Sequence, residues 1–191
     1  MRIPNLRDDE ITDAQRQARS AIDEGPRSKI PGRTPNPAGP FNILIRRPEL
    51  ADCVQKLGLY VRLGSSLPPR LVEFAVIIAA RHWDAQYVWV AHRKHALRGG
   101  LAPQVADDLG QGRKPAGMQA DEAVLYDFCT ELQATHGVND ASYAAAVARF
   151  GIDGVLDIIA AYGYYSMISM FLNVNQSMPK DGPLMAISPR P

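Results

Sequence analysis

The sequence predicts an all-α protein. Three observations carry this. Apolar residues recur at helical spacing from about Pro48 to Asn175. Prolines, glycines and short polar residues stand where they would start and stop helices. Alternating runs bounded by turns, which would mark strands, are absent. The 191 residues suit a single domain, and 46 % apolar with 21 % charged residues is the composition of a chain that buries a core.

The elements follow in order. Residues 12 to 24 read as a short polar helix capped by Thr12 and stopped by Gly25-Pro26. From Pro26 to Pro48 inclusive there are six prolines, a stretch expected to be extended, with no backbone lattice of its own. This N-terminal arm ends in the apolar run Gly39 to Ile45, which is expected to dock on the folded body, over a pocket or on a neighbouring subunit. Pro48 opens a helix through about Val61. Pro68-Pro69 opens another through about Arg81, with Leu71, Phe74, Ile77 and Ile78 on one period. Asp84 is the expected N-cap of a third, which ends at Gly99-Gly100. Pro103 starts a short helix, and residues 121 to 136 form one stopped by Gly137. Asp140 is placed as the cap of a helix that Gly151 ends, and the last long helix runs from about Asp153 to Asn175. A tail with Pro179, Pro183, Pro189 and Pro191 is expected to be a surface strap. The domain thus divides into a helix and arm (1–38), a helical core (39–178) and a tail (179–191).

Composition also excludes function classes. With 21 basic and 20 acidic residues there is no basic excess or stripe for nucleic acid. The N-terminus lacks the apolar stretch of a signal peptide. Ile158 to Leu172 is uncharged but shorter than the roughly 20 residues a membrane span needs. The two cysteines, Cys53 and Cys129, have neither redox nor metal-type spacing and read as buried free thiols, so a reducing cytoplasm is the simplest home. The last helix is apolar on more than one face, through Leu156, Ile159, Tyr162, Tyr165, Met167, Met170 and Phe171. A second apolar face points to another subunit, so a homo-oligomer is expected.

The segment carrying chemistry is Leu67 to Gly100, LPPRLVEFAVIIAARHWDAQYVWVAHRKHALRGG, which reads as helix, tight turn, helix. Glu73 lies early in the first helix and His92 mid-way along the second, 19 residues later. A hairpin of the two could bring them together. Ala85 and Val88 share a face with His92 and would form a shallow apolar floor beside it. Each residue also has a structural reading: Glu73 as a helix-end residue favoured by the dipole, His92 as a core histidine, and His82 and His95 as exposed side chains. Trp83, Tyr87 and Trp89 are read first as core or interface anchors. Arg81 is the candidate for binding an anionic substrate, or else a surface ion pair. His92 and His95 lack an evident third metal ligand, so no metal is expected.

From about Gly39 to Met178 the chain resembles the carboxymuconolactone decarboxylase and AhpD-like family. The AhpD-like pattern is a glutamate, a CxxC pair and, after three further residues, a histidine. Glu73 and His92 match the first and last, while Ala85 and Val88 fall on the cysteine positions. The text ARHWDAQYVWVAH also looks like the longer decarboxylase-type members. The resemblance implies an AhpD-like helical bundle that commonly forms trimers or hexamers. Without a nucleophilic and a resolving thiol, thiol peroxidase chemistry by the family's route is not expected. The resemblance to the decarboxylase branch implies instead a cofactor-independent acid–base lyase of aromatic catabolism, acting on a small carboxylated lactone or ring acid. Glu73 and His92 would be catalytic, with Glu73 raising the pKa of His92 and protonated His92 serving as donor. Arg81 and His95 would contact substrate, Tyr162 or Tyr165 would close the pocket, and Phe41 would cover it. The alternative is a non-catalytic ligand-binding or structural oligomer of the same fold.

Overall fold

The computed structural model describes residues 1–30 and 39–186. Among these the chain is helical, without strands: α1 (Asp13–Asp23), α2 (Pro40–Leu44), α3 (Pro48–Leu59), α4 (Pro69–His82), α5 (Gln86–Arg98), α6 (Pro103–Gly110), α7 (Ala120–Thr135) and α8 (Asp140–Val174). Four of the helices, α2, α3, α4 and α6, begin with proline in their first turn, where the missing amide hydrogen costs nothing. Thr12 caps α1 in a capping box with Gln15.

α4 is the centre of the bundle. Every residue from Leu71 to Ala80 is buried, so no face of this helix meets water. It packs against α5, α7 and α8, and α1 and α2 close over α3 at one side. Its first turn is pinned by Arg70, which pairs with Glu122 and with Asp121 (2.7 Å) at the start of α7. α8 is interrupted at Gly151, whose positive φ of 70° lets one helix follow another without a loop. This matches the expectation of two consecutive helices there. Among the described residues no helix is long and apolar enough to cross a membrane.

Three local expectations are corrected. Asp84 does not cap α5: it takes a left-handed conformation (φ 49°) in the turn, its carboxylate pairs with Arg81 at 2.5 Å, and Ala85 occupies the cap position. Asn139, not Asp140, caps α8 through a side-chain bond from the Ser142 amide. The proline-rich arm is not simply extended: Pro26–Lys29 forms a 3₁₀ turn and Pro40–Leu44 a helix, each started by its proline. Residues 31–38 of the expected arm lie outside the described residues.

Two further features position the site. Between α3 and α4 the chain makes a π-helical turn over Tyr60–Gly64, which holds Arg62. This turn is tied to α8 by Asp157, whose two carboxylate oxygens accept from the Tyr60 hydroxyl (2.7 Å) and from the Ser66 amide (2.6 Å) and hydroxyl (2.7 Å). At the C-terminal end, Met185 exchanges two 2.9 Å hydrogen bonds with the Gln86 side chain, and the Ala186 amide donates to the Gly110 carbonyl at 3.0 Å. The tail to residue 186 is thus a strap across α5 and α6.

Candidate functional site

The short turn between α4 and α5 makes a helical hairpin, and Glu73 in the second turn of α4 faces His92 at the middle of α5. His92 Nδ1 and Glu73 Oε2 are 2.7 Å apart. A carboxylate can only accept, so Nδ1 carries the proton and, in the neutral ring, Nε2 carries the lone pair. Arg62 takes the other oxygen, with Nη2 3.1 Å from Oε1. The Arg62 and Glu73 side chains are only 13 % and 6 % exposed, so this ion pair is buried. The Tyr165 hydroxyl hydrogen-bonds Arg62, and its ring stands edge-on to His92 with centroids 4.5 Å apart.

The electrostatics follow from this geometry. Burial alone would raise the Glu73 pKa. His92 and then Arg62 outweigh it, and the carboxyl is held below its ordinary value. Burial pushes His92 below the ordinary imidazole value, Arg62 and Arg27 push the same way, and Glu73 opposes them without reversing the result. The resting site is therefore carboxylate, guanidinium and neutral imidazole. The sequence led to the expectation of a protonated His92; burial first, with Arg62 and Arg27 adding to it, keeps the empty site's ring neutral instead. His95, one turn further on, is pushed down to about 4, first by burial, and its Nδ1 lies 2.9 Å from Arg98 Nη2.

His92 opens on a pocket of about 320 Å³. α5 contributes Val88, Ala91, His92 and His95, and α8 contributes Tyr164, Tyr165 and Ile168. The N-terminal segment covers it with Ile22, Arg27, Phe41 and Ile45. Of the residues singled out in the sequence, His92, His95, Tyr165 and Phe41 line this pocket, and Glu73 stands behind His92.

Two do not. Arg81 lies eight residues beyond Glu73, roughly 12 Å along the helix, where it pairs with Asp84. Tyr162 turns toward α7 and donates to Gln133 Oε1 at 2.8 Å. Three site residues were not anticipated: Arg62, Arg27 and Tyr164. The π turn takes Arg62 off the helical period that pattern reading follows. For Arg27 the signal was Pro26 itself, which starts the turn that buries the arginine.

The class of protein that this bundle defines is AhpD-like in fold. Two solved structures show it. The uncharacterized peroxidase-related protein of Silicibacter sp. TM1040 matches with a TM-score of 0.72 and 16 % identity, over 94 % of this chain and 91 % of that one. ATU0492 of Agrobacterium tumefaciens, a protein of unknown function given as a candidate AhpD antioxidant defence protein, matches with a TM-score of 0.65 and 20 % identity, over 73 % of this chain and 97 % of its own. No protein-family model and no curated protein matches the sequence.

Ala85 is the cap of α5 and Val88 lies in its first turn, where a helix dipole would favour a thiolate. Neither side chain can form one. Cys129 is fully buried and its thiol is pushed far up by burial, while Cys53 is exposed on α3, and neither lines the pocket. Among the described residues no group of three or more His, Cys, Asp or Glu side chains could hold a metal ion.

Proposed function

We propose that this chain is a cofactor-independent acid–base catalyst for a small ring acid, in the manner of a decarboxylase-type lyase. The observation that carries it is the Arg62–Glu73–His92 relay, which holds a neutral imidazole, oriented through Nδ1, in the wall of a 320 Å³ pocket. The pocket has ring-sized apolar walls and no thiol at the positions where peroxide chemistry would need one.

The proton balance is simple. Empty, the site keeps His92 neutral. An anionic acid bound beside it supplies the negative charge that an imidazolium needs, so binding draws a proton onto Nε2. Breaking the bond to the carboxyl group releases CO2 and leaves its electron pair on carbon, delocalised into a ring carbonyl. Imidazolium then returns the proton to carbon, and the ring is neutral again. The net change is one carboxylate and one proton consumed, with one C–H bond and one CO2 formed. Glu73 orients the ring and steadies its charged form, and Arg62 holds Glu73 in place.

The test is a panel of carboxylated lactones and ring acids in D2O at pH 7, followed by proton NMR. The expected result is loss of the carboxyl group from at least one acid, with deuterium at the carbon that carried it. His92→Ala should stop the reaction and keep the fold. No product across the panel, or full activity in His92→Ala, would overturn the assignment.

We also propose that copies of the chain associate through the outer face of α8. Ile152, Leu156, Ile159, Met170 and Val174 are all exposed there, at steps of four, three, eleven and four residues, which keep them on one face of the helix as an apolar stripe.

A further inference from the structure

Arg27 is a buried cation with spare donors. Its side chain lines the pocket and the residue is only 8 % exposed. No carboxylate among the described residues lies within ion-pair distance of it. Nη1 donates to the Gln55 carbonyl at a long 3.4 Å, and the guanidinium also contacts the Tyr164 hydroxyl. Nε has no partner. A guanidinium has five N–H donors in a planar fork, and these neutral acceptors use only part of it. Leaving such a charge buried without a counter-ion is costly.

The rest of the molecule holds Arg27 in place. Its guanidinium carbon lies 4.5 Å from the centre of the Phe41 ring, a cation–π contact. Gly58 makes room for it: a Cβ there would stand 2.7 Å from Nη1 and 2.1 Å from the Tyr164 hydroxyl. The other pocket cations are differently placed. Arg62 is engaged by Glu73 and Arg19 by Asp8, while Lys94 is exposed at the rim. Asp23 also lines the pocket. The walls nearby, Ile22, Phe41, Ile45 and Ile168, are apolar.

We propose that Arg27 is the anion anchor of the pocket, and that the ligand is a small carboxylate whose acid group forks onto this guanidinium while its apolar body lies against Phe41 and Ile168. The anchor rests on the same pocket as the catalytic assignment but not on its chemistry. A carboxylate fits the planar fork with two parallel bonds and supplies the missing counter-charge. The N-terminal segment, through Arg27, thus decides which molecules enter.

The experiment is calorimetric titration at pH 7.5 with benzoate, cyclohexanecarboxylate and 2-furoate, each beside its primary amide. At least one acid should bind wild-type protein, with its amide at least tenfold weaker. Arg27→Gln should bring the acid down to the level of the amide and leave the amide unchanged. Arg27→Lys, which keeps charge but not the fork, should fall between. His92→Ala should retain the preference for acid, so loss of turnover alone leaves the anchor standing. Turnover that depends on His92, with the acid preference intact in folded Arg27→Gln, would sink the anchor and spare the catalysis. No binding of any acid to wild type, or equal binding of acid and amide, would also overturn it, and needs no variant to fold.

Discussion

Arg62 Nη2 lies 3.1 Å from Glu73 Oε1, on the carboxylate oxygen that His92 leaves free. The carboxylate is thereby shared between a permanent cation and a ring that can stay neutral. A glutamate–histidine pair alone would favour a charged imidazole. Burial is the larger reason the ring stays neutral, and Arg62 adds to it by taking part of the carboxylate's charge.

Opposite shifts in His92 titration test this arrangement. Glu73 raises the His92 pKa and Arg62 lowers it. Glu73→Gln should therefore move the His92 proton resonances to a lower titration midpoint, and Arg62→Gln to a higher one. Arg62→Gln should also cost about 3–5 kcal/mol of stability, because it leaves a buried carboxylate without its cation. Identical midpoints in wild type and Glu73→Gln would reduce Glu73 to a structural residue.

Stability should decline on mild acidification. Burial lowers His92, and lowers His95 to about 4, whereas an unfolded histidine takes its proton near 6.5. Between those values the unfolded chain binds more protons than the folded one, so stability falls as pH falls through this window. Half-exposed His95 is partly screened by solvent, so the loss from pH 7 to pH 5 should be on the order of 1–2 kcal/mol. The depressed carboxyls of Glu73 and Asp157 stabilise the fold above their ordinary range, and that stability is lost at still lower pH. Urea midpoints at pH 7, 6 and 5 measure the histidine part, and a flat profile there would refute it.

Gly58→Ala should damage both stability and ligand binding. The new methyl would meet the Tyr164 hydroxyl at 2.1 Å and the Arg27 guanidinium at 2.7 Å. Overpacking of this kind costs about 1–3 kcal/mol. Adding Tyr164→Phe removes the tightest of these contacts but leaves the ring carbon 2.5 Å from the methyl, so the double variant should recover only part of the loss. Strictly additive losses in denaturant melts would show that the two positions do not oppose each other.

The α8 stripe predicts self-association. Light scattering at micromolar concentration should give a multiple of the 20.9 kDa chain mass. Ile159→Asp and Met170→Asp, at exposed positions, should shift it to a single chain. Tyr165, grouped with this face in the sequence, is buried beside His92 and belongs to the pocket. A monomeric wild type would end this proposal.

Peroxide should not be reduced with dithiols as co-substrate. Cys53→Ser and Cys129→Ser should behave as the parent does in a peroxide-consumption assay. Turnover in the parent that either substitution abolishes would show a thiol route through residues outside the pocket.

Much of the fold was legible because its punctuation is local. Pro48, Pro69 and Pro103 start helices wherever they stand, and Gly151 breaks one by its own backbone preference. The Glu73–His92 meeting was accessible for a similar reason, since one tight turn joins the two helices. Asp84 misled because its carboxylate serves Arg81 rather than the helix end. Pro40 falls in the stretch expected to be extended, yet it initiates α2. Arg62 escaped because a π turn abandons the period on which face assignments rest. Arg27 and Tyr164 come from opposite ends of the chain, and no periodicity relates such positions.

The pocket walls have a kinetic consequence. Arg27 and Phe41 come from the first quarter of the sequence, His92 from the middle and Tyr165 from close to the end. No local fragment can assemble these surfaces, because each contact closes a long stretch of chain and bears its entropy. The α4–α5 hairpin can form early, being local, whereas the binding cavity exists only after both ends have docked. Damage to the docked N-terminal segment should therefore hasten unfolding more than it slows refolding, while damage within the hairpin should do the reverse.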